Sequence, residues 1–181
     1  MGLWDRGSIA PGRIADFIIL DNPRTLSINT VYKNGLPIEN KFKKSDYQFL
    51  PSLRSSVKAP KLEINDFKLK TDLINNGQVV ANVIQINPVG TFTNHIKVKL
   101  EVKNHEVQWK KANLNLIMVQ DRYGKNNGNY TLGLVDRGIS KDGAVGATWA
   151  HDHHNIMIMG TNIKAMLKIQ HQLIDEQGGY V

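Results

Sequence analysis

The chain has 181 residues, a formal net charge of +7 and no cysteine. An apolar share of 41% beside 22% charged residues is globular composition and speaks against disorder, and the length allows one sizeable core, or a domain with a small neighbour. The lack of thiols excludes disulfides, thiolate nucleophiles and zinc–thiolate sites. No apolar run approaches the roughly 20 residues of a membrane span, and the start MGLWDRGSIAPGR has no signal-peptide pattern, so a cytoplasmic protein is expected. The lysines are spread through strand-like segments such as KVKLEVKN at 97–104, with the densest cluster in KFKKSD at 41–46. With no helical basic stripe or basic–aromatic surface, the charge reads as a solvated surface and no nucleic-acid partner is expected.

In chain order, residues 1–40 contain an extended apolar run, ADFIILD at 15–21, and a shorter one, NTVYKNG at 29–35. Pro11-Gly12 precedes the first, and Asn34-Gly35 is a strong hairpin signal. Two or three strands are predicted here. A ribbon of that size is marginal alone in water, so it needs partners. Residues 41–60, KFKKSDYQFLPSLRSSVKAP, have few periodic apolar positions and two prolines, and read as a linker or an ordered excursion across a surface.

From residue 61 an α/β or α+β domain is predicted. LEINDFKL (62–69) reads as a strand or a short segment leading into one. QVVANVIQIN (78–87), HIKVKLEVK (95–103) and NLNLIMVQDR (113–122) read as strands, the second by its apolar–polar alternation. A Gly- and Asn-rich turn then leads to a strand around Tyr130–Val135. GAVGATWA (143–150) and NIMIMG (155–160) are expected as strands, or a strand and a helix start. The last segment, TNIKAMLKIQHQLIDEQGG, is the best helix: Ile163, Met166, Leu167, Ile169, Leu173 and Ile174 form one apolar stripe. Thr161 or Asn162 can cap its start, and Gly178 or Gly179 can end it. Met157, Met159 and Met166 read as core packing.

Between the last two strand-like runs stands HDHHN, residues 151–155. On a strand His151 and His153 would face one way, Asp152 and His154 the other. Imidazoles and a carboxylate suit zinc, iron or manganese, but four adjacent ligands do not converge on one ion. A metal site would need distant help from Asp121, Asp136, His95 or His105. The alternatives are acid–base or binding work by His151, Asp152 or His154, with Asp152 or Asn155 holding a ring tautomer, and a polar knot satisfying turn amides. Asp121-Arg122, before the loop Tyr123–Asn129, can bind an anion or polar substrate, or form a salt-bridged turn. The glycines match no nucleotide-binding fingerprint.

Two stretches carry a family resemblance. GSIAPGRIADFIILD at 7–21 with TVYKNGLPI at 30–38 is similar to the post-barrel strands that complete the small β-sandwich of amidohydrolases. DRYGKNNGNYTLGLVDRG at 121–138 followed by GAVGATWAHDHHNIMIMGTN at 143–162 resembles the C-terminal domain of bacterial adenine deaminases. That family's pattern has an acid-Arg-His turn, a glycine-rich strand and a Ser-His-Asp-Ser-His-Asn run. Asp121 and Arg122 match the first element, with Tyr123 in place of histidine. His151, Asp152, His154 and Asn155 match the last, with His153 in place of serine. The Tyr123 departure marks either a diverged deaminase-like paralogue with another substrate or simple tolerance at that site, and His153 is a second departure.

The resemblance implies a fold of mixed β-sheet with a C-terminal helix, preceded at 1–40 by a sandwich segment and a 41–60 linker, and without the catalytic (β/α)8 barrel. It implies a parent that hydrolyses adenine to hypoxanthine and ammonia with a divalent two-metal centre, manganese or iron, held in that missing barrel. For this chain it implies no metal ligands of its own and no activity alone, since metal-activated water carries the chemistry. The expected partners are the missing barrel of the same polypeptide and further copies in a homo-oligomer. The ending GGYV, read as a helix cap and a strand start, is expected to be truncated. Two other readings are a stand-alone small-ligand or metal-binding domain, and a purely structural or oligomerising one.

Overall fold

Short apolar runs separated by glycine-rich turns build two units in the computed structural model, which describes residues 2–38 and 48–181 and divides after Gln48. The lysine cluster at 41–46 lies outside the described residues. In the first unit, β1 (Phe17–Asn22), β2 (Ser27–Lys33) and β3 (Leu36–Pro37) form an antiparallel sheet in that order. Asn34 and Gly35 turn between β2 and β3 with φ of 52° and 77°, the pair of positive angles that a tight hairpin turn demands. The Asp16 carboxylate accepts a bond from the Asn34 amide at 2.8 Å, and Phe17 stacks on Tyr32 across the strands. Among its described residues none is buried, and Ile18, Ile28 and Leu36 remain largely exposed. The strands form as expected, without a core of their own.

The second unit opens with a single helical turn, α1 (Pro51–Arg54), and centres on a seven-stranded sheet. Its strands are β4 (Gly77–Ile86), β5 (Thr93–Lys103), β6 (Glu106–Val107), β7 (Asn115–Gln120), β8 (Tyr130–Asp136), β9 (Ala144–Ala147) and β10 (Ile156–Gly160). They lie in the order β6-β5-β4-β8-β7-β10-β9, and β4–β8 is the parallel pair. Helix α2 (Ile163–Asp175) covers one face across β9 and β10. Leu116, Met118, Leu134, Ile156 and Ile158 from the sheet meet Met166, Ile169 and Leu173 from the helix, all buried. Gly146 makes this approach possible: a Cβ there would sit 2.5 Å from Ile169 Cγ2. The domain is a mixed β-sheet with a C-terminal helix, and no closed barrel is present among the described residues.

Helix α2 starts at Asn162, whose side chain accepts bonds from the Lys164 and Ala165 amides. Its end differs from expectation in one detail. Gln177, not a glycine, takes the left-handed conformation at φ 60°. The Gly178 amide bonds Leu173 O and the Gln177 amide bonds Ile174 O, the paired bonds of a Schellman ending. Residues Tyr180 and Val181 then pair with β9, as a strand start should.

Other expectations are narrowed or changed. LEINDFKL, expected as a strand or a short segment leading into one, is the latter: a 3-10 turn at Ile64–Phe67 that puts Phe67 fully in the core. GAVGATWA pairs as a strand over Ala144–Ala147 alone, and HDHHN forms a turn between the two strands, one of the readings its polar residues allowed. Residues 56–60, expected within a linker, pack into the second unit, because Val57 and Ala59 bury their side chains in its core.

Candidate functional site

The β9–β10 connection is short, and its geometry follows from one carbonyl. Ala150 O accepts bonds from the His153 amide at 2.9 Å and the His154 amide at 2.7 Å. His154 closes the turn in the left-handed region at φ 55°, a conformation that histidine adopts more readily than β-branched residues. The Asn155 amide donates to His153 Nδ1 at 3.0 Å, so that ring nitrogen carries a lone pair here. His153 therefore shapes the turn from within. His154 lies tilted beside Trp149 with ring centroids 6.0 Å apart. His151 Nδ1 meets Asp152 Oδ1 at 3.0 Å, with the two side chains 80% and 86% exposed. A contact so open to water is worth little as structure.

Arg122 anchors this turn to the rest of the domain. Its guanidinium donates to Thr148 O at 3.1 Å and to Ser56 Oγ at 3.0 Å. Its backbone amide points at Asn155 Oδ1, 3.4 Å away, and its carbonyl accepts the Lys58 amide at 2.6 Å. The Tyr123 ring lies 4.9 Å from the guanidinium carbon, close enough for a cation–π contact. Asp121 Oδ1 accepts the Tyr123 amide at 3.0 Å. Asp121 Oδ2 and Arg122 Nε are both buried without a hydrogen-bond partner. The structure thus joins two of the predicted groups, Asp121–Tyr123 and Asn155, in one cluster. His151, Asp152 and His154 project from it towards solvent.

The distant metal helpers are not brought in. β8 runs antiparallel to β7, with Tyr130 opposite Gln120 and Val135 opposite Asn115. Asp136 therefore lies at the far end of the sheet from Asp121, about 23 Å away at strand spacing. There it accepts Gln85 Nε2 at 2.7 Å. His95 is at that same end, bonded to Asn82, and His105 bonds Thr71 O. No group of three or more His, Asp or Glu is placed to hold an ion among the described residues. The adjacent, outward-pointing donors of HDHHN do not fit a two-metal centre.

The residues that hold this cluster in place include several that pattern reading missed. Gln120 and Gln170 are fully buried. Gln170 Nε2 donates to Gln120 Oε1 at 2.8 Å and to Pro60 O at 2.9 Å, and Gln170 Oε1 accepts the Leu62 amide at 3.2 Å. Gln120 Nε2 donates to Pro60 O at 3.0 Å. Gln177 clasps Val57 by both its amide and carbonyl, and His171 Nε2 contacts Leu62 O at 2.9 Å. Together they tie residues 57–62, and with them the Ser56 and Lys58 contacts of Arg122, to α2 and β7. A signal was present: Gln120 continues the alternation Leu116–Met118, and Gln170 sits four residues after Met166 and three before Leu173.

Comparison with known proteins adds a second line of observation. The model of the adenine deaminase C-terminal domain matches residues 90–181. Over the whole chain, identity is 63% to an adenine deaminase of Lactobacillus delbrueckii subsp. bulgaricus. It is 44% to adenine deaminase 2 of Oenococcus oeni and 41% to an adenine deaminase of Clostridium perfringens. In each comparison the chain is covered completely and spans 32%, 32% and 33% of the relative's own length.

Proposed function

This chain belongs to the family of adenine deaminase C-terminal domains, and we propose on that premise that it works as part of a metal-dependent enzyme converting adenine and water to hypoxanthine and ammonia. The observation that carries the reading is 63% identity along the entire chain to an adenine deaminase about three times as long. The hydrolytic step is assigned to the portion of such a polypeptide outside this chain, together with its manganese or iron pair. The open, outward-facing side chains of His151 and Asp152 are in keeping with that division of labour.

The chain's own part is to support the catalytic portion or a subunit interface of a homo-oligomer in the cytoplasm. The turn at 151–155 is its contribution nearest to chemistry. Arg122 braces the turn from below through Thr148 and Asn155, leaving His151, Asp152 and His154 free to meet whatever faces them. Among the described residues no helix is long and apolar enough to cross a membrane.

Ammonia release from adenine, with added manganese or iron, tests this directly. The full-length polypeptide is expected to be active and the 181-residue chain silent. Activity in the chain by itself would overturn the assignment. Silence in both would point to a different substrate, with Tyr123 and His153 as the first positions to revert to histidine and serine.

A further inference from the structure

The sheet of the second unit has two faces, and α2 covers only one. On the other, Ile117 of β7, Met157 and Met159 of β10, and Val145 and Ala147 of β9 alternate outward, with Tyr180 at the rim. They line an apolar depression of about 420 Å³ with no charged side chain. Val145 is 48% exposed and Tyr180 73%. Strands that are apolar on both faces belong to a sheet covered on both sides, and a contiguous patch of this kind marks an interaction surface. The face turns basic on distant β5, where Lys97 and Lys99 lie opposite Asn82 and Val80.

Size decides what covers it. Three strands of about five residues present roughly 250–400 Å². A freely associating dimer needs roughly 800 Å² from each partner, so a second copy finds too little here to bind stably. Contacts between domains of one chain total roughly 600–1,500 Å², and covalent linkage supplies the missing affinity as effective concentration. The relatives provide such a neighbour, because this chain spans only 32% of the first of them. The patch is also continuous with the candidate site: Ala147 and Met157 pair with one another and bracket the turn that carries His151–Asn155.

We propose that the open face of β7, β10 and β9 is the seat of the remaining portion of the full-length adenine deaminase polypeptide, which presses against this face and the adjoining turn. This rests on the chain's being part of that longer enzyme. The face carries its own probes. Met157 and Met159 point into it, whereas Met118 and Met166 are fully buried in the opposite core. Thioether oxidation by peroxide follows exposure.

The experiment is a hydrogen peroxide time course on the 181-residue chain and on the full-length polypeptide, with sulfoxide at each methionine read by mass spectrometry. In the chain alone Met157 and Met159 should oxidise about tenfold faster than Met118 and Met166. In the full-length protein they should slow about fivefold or more, while Val145→Asp in that protein restores their oxidation and leaves Met118 and Met166 protected. Equal rates in the two forms, or protection untouched by Val145→Asp, would overturn the docking. So would protection of the chain alone that grows with its concentration, which would indicate a second copy. Ammonia release measured on the same full-length sample separates the two ideas: deamination with unprotected methionines defeats only the docking, and protection without deamination defeats only the proposed activity.

Discussion

Replacing Gln170 with leucine isolates the polar network that fastens residues 60–62 to the sheet and helix. The side chain is fully buried and makes three hydrogen bonds, to Gln120 Oε1, Pro60 O and the Leu62 amide. Leucine has similar bulk, so little cavity results and the cost falls on the groups left behind. Pro60 O keeps its bond from Gln120, but Gln120 Oε1 and the Leu62 amide lose the partner Gln170 gave them. A buried polar group stripped of its partner costs about 1–3 kcal/mol, so Gln170→Leu should destabilise by about 3–4 kcal/mol. For a unit of this size that lowers the melting midpoint by about 10–15 °C. Urea unfolding followed by circular dichroism gives the free energy, and the slope with denaturant should stay constant. The double variant Gln120→Leu/Gln170→Leu should recover nothing, since it removes the Gln120 Oε1 orphan but strips Pro60 O of both its donors. A single variant within about 0.5 kcal/mol of the parent, or a double variant more stable than Gln170→Leu alone, would refute this account of how the segment is held.

Arg122→Ala should cost about 2–3 kcal/mol, because two charge-assisted bonds disappear, and amide exchange across residues 148–155 should quicken. Arg122→Lys should restore little of either, since an ammonium cannot reach Thr148 O and Ser56 Oγ as a planar fork does. Gly128→Ala should destabilise by about 2–3 kcal/mol: φ is +67° and a Cβ would collide with Pro60 Cδ, adding a steric term to the left-handed penalty. A thermal melt reads it. The Tyr130 hydroxyl is held above the ordinary value of 10.0, first by burial and then by its bond to Asp66. The folded state therefore keeps this proton more tightly than the unfolded one. Its contribution is present below 10.0 and is lost as pH rises through the raised value. Urea midpoints of the parent should fall over that alkaline window relative to those of Tyr130→Phe. His151→Ala should leave stability unchanged within about 0.5 kcal/mol, which separates any effect on deamination by the full-length enzyme from unfolding.

Much of the element order could be read from residues 62–181 because apolar period reports burial directly. β4, β5, β7, β8 and α2 all lie within a few residues of the strands and helix that alternation and the 3.6-residue stripe predict. The 3-10 turn at 64–67 was ambiguous because its side chains follow neither period. The same limit applied at residues 56–60: Val57 and Ala59 are two apolar positions in a polar stretch, and nothing local says that Gln177 waits for Val57, or Gln170 for Pro60, more than 100 residues away.

The candidate site divides along the same line. Local chemistry marked Asp121–Tyr123 and His151–Asn155 as unusual, and their order in the chain carried the family resemblance. Whether they meet is a matter of strand order. Because β10 pairs with β7, the end of one strand comes beside the start of the other, and Arg122 reaches Thr148 and Asn155. Because β8 runs back along β7, Asp136 is carried to the far end of the sheet from Asp121. Sequence by itself determined the elements and the residues capable of chemistry, since both depend on near neighbours. Only the tertiary structure decided which of those residues converge and which face of the sheet stays open, because strand pairing joins positions whose separation along the chain carries no local signal.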